Sequence, residues 1–351
     1  GLSGAAIETL VEQGAQLIVT VDCGSLSFDE IARARELGVD VIVTDHHSVA
    51  DTMPEAIAVV NPKRLLADHP EAYHSTSLTR LLSSTRESSS VLRSADRISD
   101  QQPSRTSGDL YPFVDLAGVG VAFKLIQALQ TKLEGLDKGQ EKWLLDLVAL
   151  GTVCDVVTLR DENRANVRWG LEVMRKTRRP GLRALMAVSR VKPSELNARS
   201  LGFGLGPRLN AAGRLETAQL SLDLQTTTEP GRALKIAEQL EAMNLARRTE
   251  QDRIFTHAKE KYLEYTDDHV LILSDPSWSH GIIGIVAAKL LEAYHKPTFV
   301  LQELPDGTAK GSARSYGDFS AVDAIRATDT HLIKGGGHKL AAGVTLQTSS
   351  I

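Results

Sequence analysis

Two short stretches place acids and imidazoles where they could act on a ligand. Asp22 follows the apolar run Leu17-Ile-Val-Thr-Val21, and Asp45-His46-His47 follows Val41-Ile-Val-Thr44. If both runs are neighbouring strands of a parallel sheet, these groups share its carboxyl edge, where open α/β sheets bind their ligands. Along an extended segment side chains alternate, which sends Asp45 and His47 one way and His46 the other. Carboxylate and imidazole together suit Mn²⁺ or a similar borderline cation better than calcium. The plainer alternative is that Asp22 and Asp45 cap turns and helices while the histidines face solvent. A third acid, Asp155, sits inside Ala149-Leu-Gly-Thr-Val-Cys-Asp-Val-Val157. A carboxylate buried in such a run must be paired, protonated or metal-bound, or else serve as a cap. Cys23 and Cys154 each adjoin one of these acids, so a thiolate zinc site is conceivable. Alternation turns both thiols away, which favours small buried fillers.

A second set of residues suits phosphate. Gly202-Phe-Gly-Leu-Gly-Pro-Arg-Leu-Asn-Ala-Ala-Gly-Arg214 combines glycines, which admit close backbone approach, and the Asn210 amide with Arg208 and Arg214, whose guanidinium forks could grip phosphate oxygens. A polar loop that merely turns the chain has the same composition. Further on, Ser279-His-Gly-Ile-Ile-Gly284 opens a helix whose free N–H groups favour an anion. Gly311-Ser-Ala-Arg-Ser315 contributes Ser312 and Arg314, and Gly335-Gly-Gly-His338 contributes the amides of Gly336 and Gly337 and the His338 imidazole. Three such devices within about eighty residues favour a phosphodiester ligand over three independent turns. Gly118-Val-Gly120 is too short a signal for a nucleotide loop.

The elements that must position these residues follow from periodicity. The first sixty residues alternate helices, near Ser3 to Glu12 and Phe28 to Leu37, with the runs Leu17–Val21, Val41–Thr44 and Ala56–Val60, the signature of a parallel sheet covered on both faces. Residues 65–108 dissolve into serine, threonine and arginine and read as a disordered surface insertion. Helical spacing resumes from Leu116 to Leu133, Trp143 to Leu150, Glu162 to Arg175 and Pro180 to Val188. From Glu229 to about Tyr265, one uninterrupted helix of roughly thirty residues is expected, about 45 Å long, to bridge domains. A second α/β unit follows, with strands His269–Leu273, Thr298–Leu301 and Thr308–Ala313 around a helix from Gly281 to Tyr294.

The 351 residues, 42% hydrophobic and 24% charged, have room for two cores and exclude general disorder. There is no spanning apolar segment and no basic leader, and the cysteine count is two, so the chain reads as cytoplasmic, with no membrane partner. A net charge of −4 argues against coating nucleic acid by bulk attraction but leaves room for a local basic groove.

Five segments taken in order, Val21-Asp-Cys-Gly24, Thr44-Asp-His-His47, Gly151-Thr-Val-Cys-Asp-Val-Val157, Gly204-Leu-Gly-Pro-Arg-Leu-Asn-Ala-Ala-Gly-Arg214 and Gly335-Gly-Gly-His-Lys-Leu-Ala-Ala-Gly343, resemble the DHH phosphoesterase superfamily, and within it the RecJ exonuclease family. The resemblance covers nearly all of the chain outside the serine-rich insertion. It implies an α/β protein in which a parallel-sheet DHH domain (residues 1–228) is joined by a long helix (229–265) to a smaller α/β DHHA1-type domain (266–351) that binds nucleic acid across a cleft. It also implies two Mn²⁺ or Mg²⁺ ions held by Asp22, His46 and Asp155, with Asp45 and His47 completing the motif around the metals and the scissile phosphate. Ser312, Arg314 and His338 resemble the family's phosphate-gripping positions. The implied activity is metal-dependent 5′ to 3′ degradation of single-stranded DNA in repair and recombination. Two other activities compete with it: a DHH phosphodiesterase for short RNA or cyclic dinucleotides, and a non-catalytic nucleic-acid-binding relative. The family pattern also has an earlier strand ending in Asp-x-Asp, which would precede Gly1. The expectation is therefore a chain truncated at both ends, lacking one ligand set and inactive by itself, with its last helix cut short and no oligonucleotide-binding barrel.

Overall fold

The computed structural model describes residues 1–68, 111–135, 137–215 and 217–351. The insertion expected at 65–108 lies outside them except for residues 65–68, which are helical. The described residues form two compact units, Gly1–Thr177 with Lys192–Phe203, and Arg178–Val191 with Gly204–Ile351. These divisions do not follow the chain-order boundaries expected at 228 and 266.

In the first unit, α1 (Gly4–Glu12), β1 (Leu17–Val21), α2 (Phe28–Glu36), β2 (Asp40–Thr44) and β3 (Ala58–Val60) build a three-stranded parallel sheet in the order β1-β2-β3, and α3 (Pro62–Asp68) follows. Ile18, Val41 and Val43 point to the face carrying Ile7, Ile31 and Ala34 from α1 and α2, and these close one core. Ser3 caps α1 by accepting from Ala6 N. Coverage of both faces was expected. On β1, however, the opposite face leaves Leu17, Val19 and Val21 about half exposed, because among the described residues both helices lie on the other side. The unit continues through α4 (Gly118–Leu129), a 3₁₀ turn (Gln140–Leu144), α5 (Leu145–Cys154) and α6 (Asp161–Arg175).

In the second unit, α7 (Pro180–Val188), α8 (Gly206–Leu215) and α9 (Gln219–Thr226) gather on α10 (Pro230–Tyr262). The expected long helix is therefore present, 33 residues or about 50 Å, but it is part of this unit's core, burying Ala233, Ile236, Ala237 and Leu240. β4 (Leu271–Asp275), α11 (His280–Tyr294), β5 (Thr298–Glu303), β6 (Thr308–Arg314), α12 (Ala321–Ala327), β7 (Leu332–Gly337) and β8 (Ala341–Gln347) complete it. The strand order is β4-β5-β6-β8-β7, parallel only between β4 and β5. One face packs Leu273 and Val300 against Ile282, Val286 and Leu290 of α11 and Ile254 of α10. The other packs Leu301, Ala313 and Val344 against Ile325 of α12. No helix among the described residues is long and apolar enough to cross a membrane.

Candidate metal centre and phosphate face

The parallel register brings the ends of β1 and β2 level, with Val21 opposite Thr44, and Asp22 N still donates to Thr44 O at 2.9 Å. The strand then breaks. Asp22 takes φ 66°, a left-handed conformation that aspartate tolerates better than most residues and that swings its carboxylate off the sheet. Strand β2 ends at Thr44, although Asp45 N still donates to Val60 O at 3.0 Å, and the strict alternation expected for Asp45, His46 and His47 does not hold, because the two imidazole rings lie together. Asp45 turns inward and is buried. Its carboxylate accepts from Ser25 N at 2.9 Å, His46 N at 2.7 Å and His47 N at 3.2 Å, and it pairs with His47 Nδ1 at 2.8 Å. Burial alone would raise the Asp45 pKa, but these bonds outweigh it and hold the group at about 2. An ionised Asp45 fixes the proton on His47 Nδ1 and leaves the Nε2 lone pair facing outward, the orienting arrangement common behind metal-ligating histidines. Asp45 therefore acts on the loop and on His47 rather than inside the cluster itself.

The result is that both histidines, not one, face Asp22. Ligand atoms of Asp22, His46 and His47 lie within 4.8 Å of one another, and the two rings meet edge to face at 4.5 Å. Asp155 joins them from α5, where it is the C-cap. His46 Nε2 is 3.0 Å from Asp22 Oδ1 and 3.3 Å from Asp155 Oδ2. Neither contact has the direction of a hydrogen bond, and both His46 Nε2 and Asp155 Oδ2 are buried without a hydrogen-bond partner. A helix C-terminus disfavours a carboxylate. Burial raises the Asp155 pKa, His46 lowers it, and Asp22 raises it again. The Asp22 carboxylate raises the His46 pKa against the opposing effect of burial. Two carboxylates beside one imidazole, with orphaned buried atoms on His46 and Asp155, form a donor set that fits a divalent cation. No thiol belongs to this group. Cys23 and Cys154 are free and half-buried, and burial pushes both up, Cys154 to about 11.

Motif reading missed the residues behind the centre. A Cβ on Gly118 would lie 2.3 Å from Asp22 Oδ1, so only glycine lets the first turn of α4 back this carboxylate. Gly118-Val-Gly120, set aside as a nucleotide loop, has this packing role instead. Asn61, at the carboxyl end of β3, donates to Ser25 Oγ at 2.8 Å and His47 O at 2.9 Å. Its place after the third apolar run was the available signal.

In the second unit the phosphate-friendly residues are placed by strand register. Ser312 pairs with Gly343 and Gly343 with Gly336, while Arg314 pairs with Ala341. Paired residues share a face, so Ser312 and Arg314 stand beside a shelf made flat by glycine. Lys310, Thr345 and Lys334 form the next row, and both lysines are exposed. Arg314 Nη1 donates to Ser312 Oγ at 2.8 Å and to Ala313 O at 2.7 Å. Gly284 of α11 permits this, because a Cβ there would lie 2.9 Å from Ser312 Oγ and 3.0 Å from Arg314 Nη2. Burial, then the charge of Arg214, lowers the Arg314 pKa, an environment that favours an arriving anion. Arg214 itself is exposed and donates to Gly281 O at 3.1 Å. Gly337 holds φ 146° beside Ala342, and His338 N donates to Ala341 O at 2.8 Å in the turn that leads to β8. Asn210 is exposed on α8.

Arg208, expected in the phosphate set, is engaged within the fold. Its Nη1 donates to Gly204 O at 2.6 Å and its Nη2 to Glu241 Oε1 at 3.0 Å, with Nε ion-paired to the same carboxylate. The fork is spent on fastening α8 to α10.

The DHH family, N-terminal domain, matches residues 2–152, and the DHHA1 domain matches residues 267–351. The single-stranded-DNA-specific exonuclease RecJ of Salmonella typhimurium is 37% identical over 371 residues, covering 99% of this chain and 56% of that protein. The crystal structure of Thermus thermophilus RecJ in complex with Mn²⁺ matches 99% of this chain and 44% of its own, at 30% identity and a TM-score of 0.76. A crystal structure of exonuclease RecJ bound to manganese matches 99% of this chain and 75% of its own, at 30% identity and a TM-score of 0.71. The chain thus spans about half the length of the curated relative.

Proposed function

This chain belongs to the RecJ line of the DHH family, and from that premise we propose that it is the core of a metal-dependent exonuclease degrading single-stranded DNA from the 5′ end in repair and recombination. The observation that carries the proposal is His46 Nε2 standing 3.0 Å and 3.3 Å from the carboxylates of Asp22 and Asp155 with buried atoms left unpartnered. Asp22, His46 and Asp155 would hold the metal, with His47 Nε2 adjacent. Two divalent cations, Mn²⁺ or Mg²⁺, supply Lewis-acid polarisation of the phosphodiester and a more acidic water as nucleophile. Asp45 orients His47, and Gly118 and Asn61 hold the carboxylate and the loop in place. Ser312 and Arg314, with the Gly336–Gly337 amides, His338 and Arg214, would hold backbone phosphates, and Lys310 and Lys334 add charge that follows any sequence. The names of the relatives support single-stranded DNA as substrate. The free cysteines fit a reducing, cytoplasmic location.

Replacing Asp155 by alanine tests the reading. Measured in a protein that also carries the family's Asp-x-Asp strand ahead of this core, manganese-dependent release of mononucleotides from a labelled single strand is expected to fall by at least about a hundredfold, beyond the tenfold to hundredfold typical of residues behind a ligand, while strand binding persists. Undiminished release by Asp155→Ala would refute the metal assignment.

A further inference from the structure

Phe203 contradicts its surroundings. In the segment that contains it, Leu201 and Leu205 are fully buried, yet Phe203 is 77% exposed. The backbone there is a π-helical turn, Ser200–Leu205, a wide geometry that is rare and concentrates at functional sites. The Arg199 guanidinium lies over the Phe203 ring, 5.4 Å from its centroid, and no carboxylate among the described residues pairs with it. The segment packs against the helix that ends at Asp155. A Cβ on Gly202 would touch Val153 Cγ1 at 3.4 Å, and Val153 precedes Asp155 by two residues on α5. Immediately after Asp155, Val156 is 86% exposed and held at φ 62°, a strained conformation for a β-branched residue. Arg199, Gly202, Phe203, Val153, Asp155 and Val156 belong to the first compact unit.

An exposed phenyl ring with an unpaired guanidinium at its face matches one ligand chemistry closely: a flat base on an anionic backbone. Stacking on an aromatic ring is tolerant of sequence because every base has a π-face, and arginine adds both a cation–π contribution and attraction for phosphate. We propose that Phe203, supported by Arg199, is the stacking platform for a nucleobase of the strand whose phosphodiester lies at the Asp22–His46–Asp155 centre. The proposal rests on the nucleolytic reading of that centre. It gives single-strand preference a chemical origin, since a base in a duplex already has both faces covered and cannot offer one to Phe203.

The test is a titration of the chain, in Mn²⁺ buffer, into oligonucleotides carrying 2-aminopurine within three nucleotides of either end. Binding is followed by anisotropy and stacking by quenching of the 2-aminopurine. The wild type and Phe203→Trp should bind and quench. Phe203→Ala should lose the quenching and bind about fivefold to tenfold more weakly, and Arg199→Ala should show a smaller loss. An abasic site at the same nucleotide should erase the difference between wild type and Phe203→Ala. Normal binding with equal quenching by Phe203→Ala, or an equal penalty on the abasic strand, overturns the stacking role alone. Failure of the wild type to bind any single strand overturns both this role and the nucleolytic reading.

Discussion

The centre around His46 and the face around Arg314 both gather polar groups from distant parts of the sequence, but they are built on opposite principles. The first is made where regular structure ends. Asp22 and the Asp45–His47 loop leave two parallel strands, Asp155 caps a helix, and Asp22 and the adjacent Val156 hold positive φ. The second is made by regular structure continuing, with Ser312, Gly343 and Gly336 aligned by antiparallel pairing. Strain and orphaned atoms mark the first, where a few groups must converge on a small charged object. An open, flat basic face marks the second, where the fit is to a repeating backbone. The comparison teaches that convergence suits chemistry at a point and register suits grip along a strand.

This contrast can be broken or sharpened at three positions. The largest effect is expected at Asp45, which touches the first region only through its neighbours. Asp45→Asn keeps the shape but removes the charge that fixes the His47 proton, so manganese affinity by calorimetry should fall about tenfold to hundredfold. An unchanged affinity would mean that the buried carboxylate serves only the loop. In the second region, Arg314→Gln should weaken single-strand binding evenly across sequences and reduce the salt slope of log K by about one, with metal affinity untouched. A loss of metal binding in that variant would erase the distinction between the two regions. Arg208→Met should do neither. It breaks the half-buried contact with Glu241, so chemical denaturation should show a loss of about 1–3 kcal/mol while the salt slope of strand binding stays that of the wild type.

Much of the first region was legible in the sequence because parallel strands announce themselves. Leu17–Val21 matches the observed strand, and Asp22 and the Asp-His-His triplet fall at its carboxyl edge as the pattern requires. What was not legible is how the chain leaves the strand. Alternation predicted that His46 would point away from His47, but a buried Asp45 accepting two successive backbone N–H groups curls the loop and brings both rings together. The support from Gly118 was equally hidden, since a helix-opening glycine looks the same whether it faces a nucleotide or a neighbouring carboxylate. In the second region the motif residues were visible and their partners were not. Lys310 and Lys334 join Ser312 and Arg314 through pairing that the sequence does not display, and Arg208, which has the composition of a phosphate clamp, is claimed by Glu241 from 33 residues away. The long helix was evident from its spacing. Its membership in the second unit depends on side chains of α7, α8 and α9 that pack along it, and periodicity within one segment cannot reveal that.

The most direct measurement is an anomalous difference map from crystals of the chain grown with manganese. A peak within coordination distance of Asp22, His46 and Asp155, beside His47, is the predicted result. Manganese bound elsewhere, with His46 still lodged between two unliganded carboxylates, would contradict the metal centre.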